Sequence, residues 1–183
     1  MKYIISTIIL SCLTMNFLIA QEFSSKIKVF MNYNHALGIK EKNALWNLDG
    51  SNGIYANSFH VKGMYSFNEM ISCGIGIGAD ALRNPNYTTF PIYASVHFSP
   101  ASHTNWYLYN NLGYSLDTKI SYPGLYYEAG IGYKWLLKKN FGLFLNAGYN
   151  LKQMQNIEAK YINKIELLYT TRQSLCFGFG LFF

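Results

Sequence analysis

The chain has 183 residues, with 15 basic against 9 acidic side chains and a net charge of +6. That mild excess is scattered along the chain, which argues against nucleic acid as a partner. No cofactor or metal is expected: His35, His60, His97 and His103 lie apart, and beyond the N-terminal segment only Cys73 and Cys176 remain, without ligand spacing. In chain order, Lys2 precedes an apolar run from Tyr3 to Leu13, then Thr14 and Asn16, then Ala20 before Gln21. A basic start and an apolar run too short to span a bilayer read as a secretory signal peptide over 1–20, cleaved after Ala20. Cys12 after Ser11 also permits a lipoprotein reading, but Leu10 is bulky where such signals prefer a small residue.

From there the chain alternates with period two. Strands are predicted over 26–38, 53–67, 71–81, 90–98, 106–116, 125–137, 141–151 and 172–183. In the third, Ile71, Cys73, Ile75 and Ile77 share one face, and Ser72, Gly74, Gly76, Gly78 and Asp80 the other. Cys73 therefore faces outward and Cys176 inward, so the two should not pair. Pro91 sits near the start of its strand, where a missing donor costs least. Asn110 interrupts the apolar face of the fifth strand, and a bulge there would restore it. The segment from Lys152 to about Thr170 is long and polar, although Ile165, Leu167 and Tyr169 would allow an extended last strand.

Eight strands of about ten residues have the length that a tilted strand needs to cross a bilayer. The gaps alternate between long or irregular and short. Short periplasmic turns and longer extracellular loops would give this pattern, with both ends of residues 21–183 on the periplasmic side. Tyr65, Phe67, Phe98, Trp106, Trp135, Phe141 and Phe183 then all fall at periplasmic strand ends, as an aromatic girdle.

The last strand has the sharpest faces. Leu175, Phe177, Phe179, Leu181 and Phe183 lie on one side, and Arg172, Ser174, Cys176, Gly178 and Gly180 on the other. A lipid-facing outside and a narrow inside fit both halves. With Phe183 as its last residue, this strand resembles the closing strand of Gram-negative outer-membrane β-barrels. The segment Tyr65 to Gly78 adds to a likeness with the small opacity-type and adhesin-type eight-stranded barrels. The resemblance implies an all-β, eight-stranded antiparallel up-and-down transmembrane barrel in the cell outer membrane. It also implies a non-enzymatic role, Phe183 as an assembly signal read by the barrel-assembly machinery, and contact with outer-membrane lipid and lipopolysaccharide. A soluble β-sandwich is the rival fold, and it would have to bury every apolar strand face as core.

Several features bear on chemistry. The run Gly74 to Gly78 lacks the spacing of a dinucleotide fingerprint and precedes no helix; inward glycines that make room for Tyr93, Tyr107, Tyr126 and Phe144 explain it better. His60, Lys62, Asp80, His97, Glu128, Lys134 and Arg172 are predicted inward, where charge is costly unless paired. They form either a structural network or a path for protons or small solutes. His97, Ser99 and Glu128 suggest a hydrolase triad, and lipid A deacylases share the His-x-Ser pair. Against it, Pro100 follows the serine, no Glu lies on the following strand, and Ser99 falls in a periplasmic turn. Trp46, Leu48, Ile157, Tyr161 and Ile162 are apolar groups in polar loops, placed either to anchor a host or envelope protein or to pack on the rim. Four functions follow: loop-mediated binding or envelope integrity, a narrow porin-like channel, a lipid A hydrolase, and an accessory barrel in secretion.

Overall fold

A computed structural model describes residues 26–45, 47–101, 104–138, 141–161 and 164–183; the expected signal peptide, 1–20, lies outside them. Wherever large apolar and small or polar residues alternate, the chain is extended. The strands are β1 (Ile27–Lys42), β2 (Asn47–Asp49), β3 (Tyr55–Ser66), β4 (Ile71–Arg83), β5 (Tyr87–Thr89), β6 (Pro91–Phe98), β7 (Trp106–Ser115), β8 (Gly124–Lys138), β9 (Phe141–Tyr161) and β10 (Lys164–Phe182). The three-residue strands β2 and β5 attach to β1 and β4. The eight long strands form a ring in which each pairs antiparallel with its neighbours. It closes between β1 and β10, from Phe30↔Phe182 to Lys42↔Thr171. The chain is thus a closed eight-stranded antiparallel barrel.

The outer wall is apolar, as the alternation requires. Phe59, Ile75, Val96, Leu112, Ile131 and Phe179 are all exposed, Ile75 to 74%. A wall of that kind is stable against hydrocarbon, and ring closure leaves no unpaired strand edge within it. Asn110 stays on this wall without a bulge: β7 runs in continuous register with β6 and β8, and the Asn110 amide donates to the Tyr127 hydroxyl at 3.1 Å.

Two strands run further than expected. β9 continues past Lys152 and β10 begins at Lys164, so the polar segment 152–170 is mostly a β-ribbon instead of a loop. Its last β8 pair is Tyr126↔Lys152 and its last β1 pair is Lys42↔Thr171, so the residues between project with only each other as ladder partners. Among its described side chains, Lys152, Met154, Ile157, Leu168 and Thr170 are buried and Tyr169 is exposed. β1 likewise passes its expected end at Gly38 and reaches Lys42, across a register shift between Gly38 and Lys40.

The short turn between β3 and β4 is made by Asn68, whose side-chain oxygen accepts from the amides of Met70 and Ile71 at 2.9 and 2.7 Å. The longer connections at the opposite end fold over the barrel. Tyr122 bonds to Thr88, Gln155 to Pro123 and Gly38 to Ile54 through their backbones. Beneath them Leu82, Tyr87, Met154, Ile157 and Leu168 form one buried apolar cluster. At the girdle end Phe30, Met64, Tyr107, Tyr109, Phe144 and Phe182 form a second.

Candidate functional site

Between the two apolar clusters lies a polar lumen, built by the inward positions of all eight strands. In its hairpin half, cations meet carboxylates. The two Asp80 oxygens take His60 Nε2 at 2.9 Å and Lys152 Nζ at 2.8 Å, and Thr89 donates to the second at 2.8 Å. Arg172, 1% exposed, donates from Nε to Glu41 and from its other nitrogens to the carbonyls of Tyr55 and Pro85 at 3.2 and 3.3 Å. In mid-lumen Glu128 accepts from the hydroxyls of Tyr109 and Tyr126 at 2.9 and 2.6 Å. Each buried carboxylate thus has charge-assisted donors, as burial demands.

The girdle half differs. Lys62 Nζ contacts His97 Nε2 at 2.9 Å and lies 5.8 Å from the Phe30 ring centre and 5.6 Å from that of Tyr109. Lys134 Nζ sits 4.4 Å over Tyr107 and 5.4 Å over Phe30, and Lys28 Nζ 5.6 Å over Phe182. Phe30 and Phe182 stack at 5.5 Å. Among the described residues, the ion pairs are those of Asp80 and Glu41; none joins these three lysines to an Asp or Glu. Cation–π contact is their main local compensation.

All seven expected lumen residues therefore point inward, in two groups. His60, Asp80 and Glu128 are connected through Tyr126, whose hydroxyl is 3.5 Å from His60 Nδ1, while Arg172 pairs separately with Glu41. Lys62, His97 and Lys134 form the girdle-side group. The inward glycines seat large side chains: a Cβ on Gly76 would meet the Tyr93 ring, on Gly132 that of Tyr107, and on Gly180 that of Phe144. Tyr126 packs instead against Tyr93 and His60, with ring centres 5.2 and 5.7 Å away. Cys73 and Cys176 are free thiols.

The register brings the expected girdle to one end. Ile27↔Tyr65, Ile71↔Phe98, Trp106↔Tyr133 and Lys138↔Phe141 are terminal pairs, and Phe183 exchanges backbone bonds with Val29. Phe67 packs edge-on to Tyr65 at 5.2 Å. Tyr133 joins the group between Trp106 and Trp135, at 4.8 and 4.6 Å. Of the loop candidates, Leu48 lies half-buried in β2 and pairs with Glu41. Ile157 is no exposed anchor: it is 5% exposed inside the hairpin-end cluster, because β9 keeps its alternation past the barrel rim. Trp46, Ile162 and the side chain of Tyr161 lie outside the described residues. His97 has Lys62 as its polar partner, with no hydrogen bond to Ser99 or Glu128, and Ser99 is held in its turn by a backbone bond to Met70 at 2.7 Å.

Three charged lumen residues, Lys28, Lys152 and Glu41, are missing from the set expected from the sequence. Lys28 shares the inward parity of Phe30 at the start of β1. Lys152 continues the inward run of Phe144, Asn146, Gly148 and Asn150, so its signal is present but sits at the start of a polar segment. Glu41 faces inward only because the shift between Gly38 and Lys40 reverses the parity of β1. A one-residue slip of that kind has no marker in composition.

No family model matches the chain, and no curated protein matches it in sequence. Among solved structures it is similar to the outer membrane protein OprG from Pseudomonas aeruginosa, with a TM-score of 0.50 and 12% identity, over 86% of this chain and 95% of that one. Neisserial surface protein A aligns at a TM-score of 0.47 and 16% identity, over 85% of this chain and 96% of its own. Ail, the attachment invasion locus protein of Yersinia pestis, aligns at 0.46 and 16%, over 86% and 99%. At such identities the likeness is one of fold, and that fold is the outer-membrane β-barrel.

Proposed function

We propose that this chain is an integral outer-membrane barrel that conducts little or no solute and works by binding a partner through its projecting β9–β10 hairpin. The observation that carries this reading is the division of the molecule into a packed lumen and a free ribbon. Tyr107, Tyr126, Phe30, Phe144 and Arg172 are among the largest fully buried side chains, and all lie inside the ring. The hairpin, by contrast, leaves the ring beyond Lys152 and Thr171. Its base is tied down by the Gln155 bond to Pro123 and by buried Met154, Ile157 and Leu168, while among the described residues its strands have only each other as ladder partners. Open edges suit recognition of an extended segment by strand addition. The apolar wall supports the membrane location, and the end carrying the hairpin and the longer loops is read as extracellular. The partner would be a host or envelope protein, with lipopolysaccharide around the wall.

The test replaces residues 153–170 by a two-residue turn and compares both proteins. The shortened barrel should still shift in gel mobility between unboiled and boiled samples, while cells displaying it lose attachment to host matrix proteins or their envelope partner. Planar-bilayer recordings of the intact chain should stay near baseline. Steady single-channel conductance would favour the porin-like reading instead, and loss of lipid A acyl chains that depends on Ser99 would favour the hydrolase.

A further inference from the structure

The girdle end of the lumen collects ammonium groups that no described Asp or Glu pairs with, beside the Ser66 and Ser72 hydroxyls, which lie 3.0 Å apart. Lys28, Lys62 and Lys134 all occupy inward positions and gather around the stacked rings of Phe30 and Phe182. A cleft at this mouth is lined by Lys28 and Lys134, with exposed Lys26 and the hydroxyl-bearing Ser66, Ser72 and Ser99. With Lys62 as the ammonium, it donates a hydrogen bond to the lone pair of His97 Nε2. His97 Nδ1 then carries the ring hydrogen, and that atom is buried without any hydrogen-bond partner. Among the described residues, the other buried side-chain atoms without a partner are acceptors, Asn32 Oδ1 and Asn146 Oδ1. The excess at the mouth therefore rests on the three ammonium groups that no described Asp or Glu pairs with, and the His97 hydrogen adds to it. Glu69 is exposed at the mouth and pairs with none of them, while Glu128 attracts Lys62 only from farther up the lumen. Burying like charges together is unfavourable unless something compensates them.

We propose that this mouth binds a phosphate-type oxyanion, held by the ammonium groups of Lys28 and Lys134 and the hydroxyls of Ser66 and Ser72, with Lys62 behind them. A tetrahedral anion offers several acceptor oxygens to donors converging from different strands, and the low dielectric around Phe30, Phe182 and Tyr107 strengthens each contact. The chemistry is shared by free phosphate and by a phospholipid headgroup at the rim. The site stands on lumen geometry and is independent of what the hairpin binds.

The test titrates inorganic phosphate into the full chain, folded in a maltoside detergent that carries no phosphate, by calorimetry and phosphorus NMR. Saturable binding is expected. Lys28→Gln and Lys134→Gln should each weaken it about tenfold, the size of one charge-assisted contact. Lys40→Gln, at the opposite end, should leave it unchanged, and the charge-preserving Lys134→Arg should retain most of it. Competition by short-chain phosphatidylglycerol would identify the headgroup as the natural source, and phosphate binding without competition would identify the free ion. No saturable binding to the intact chain, or equal binding to a folded Lys28→Gln/Lys134→Gln double variant, would overturn the proposal. The first of those outcomes does not depend on any variant folding.

Discussion

The two halves of the lumen hold cations in comparable number and treat them in opposite ways. Toward the hairpin, Lys152 takes Asp80, which His60 also contacts, and Arg172 takes Glu41, so both ammonium and guanidinium have a carboxylate. Toward the girdle, Lys28, Lys62 and Lys134 face rings and one histidine. Inward charge in a small barrel is therefore not one thing. In the first half it joins strands across the interior, and its residues are structural. In the second no described Asp or Glu pairs with it and rings are its main contacts, the arrangement on which the proposed anion site rests.

The sharpest way to break this contrast is at Asp80. Asp80→Asn leaves the buried Lys152 ammonium without its counter-charge and weakens the contact to His60, and should cost about 3–5 kcal/mol, read as a lower urea midpoint for the barrel in lipid vesicles. If the midpoint hardly moved, the hairpin half would not be held by its ion pairs. Next is a matched comparison of lysines. Lys152→Gln should destabilise by about 3 kcal/mol, because Asp80 loses its closest ammonium. Lys134→Gln, measured the same way without phosphate, should be neutral or stabilising by up to about 1 kcal/mol, since it relieves repulsion from Lys28 and Lys62. Equal losses at both positions would erase the distinction between the halves. Glu128→Gln keeps the shape but weakens acceptance from Tyr109 and Tyr126, and should cost about 1–2 kcal/mol. The smallest effect is expected on the wall, where Trp106→Ala removes an edge-on contact to Tyr133 and should cost about 1 kcal/mol. Its signature should be a lower temperature for the gel-mobility shift, with no change in phosphate binding.

Much of the barrel was legible because its signal is local. The faces of Phe177, Phe179 and Leu181 against Cys176, Gly178 and Gly180 state strand, outside and inside within a few residues. The same parity placed Lys62, Asp80, Glu128 and Arg172 in the lumen. It failed where polarity masked it, at Lys152, and where a one-residue shift inverted it, at Glu41. It also left Ile157 undecided, since a buried apolar residue and an exposed anchor look alike in a polar stretch. The hairpin was half visible: Ile165, Leu167 and Tyr169 allowed an extended last strand, but in β9 the apolar Met154 and Ile157 are set among polar neighbours and do not mark a face.

By itself, then, the amino-acid order determined the strands, the two faces of the wall and the aromatic end of the barrel, because period two is a property of neighbours along one chain. Which cation meets which carboxylate was decided only by tertiary structure. Asp80 lies in β4, Lys152 in β9 and Arg172 in β10, and their partners depend on the register of every intervening strand and on ring closure between β1 and β10. A one-residue slip anywhere in that ring would keep the strand pattern of the slipped segment and exchange its inside for its outside. The division between a charge-paired half and an uncompensated one is thus a property of the closed ring.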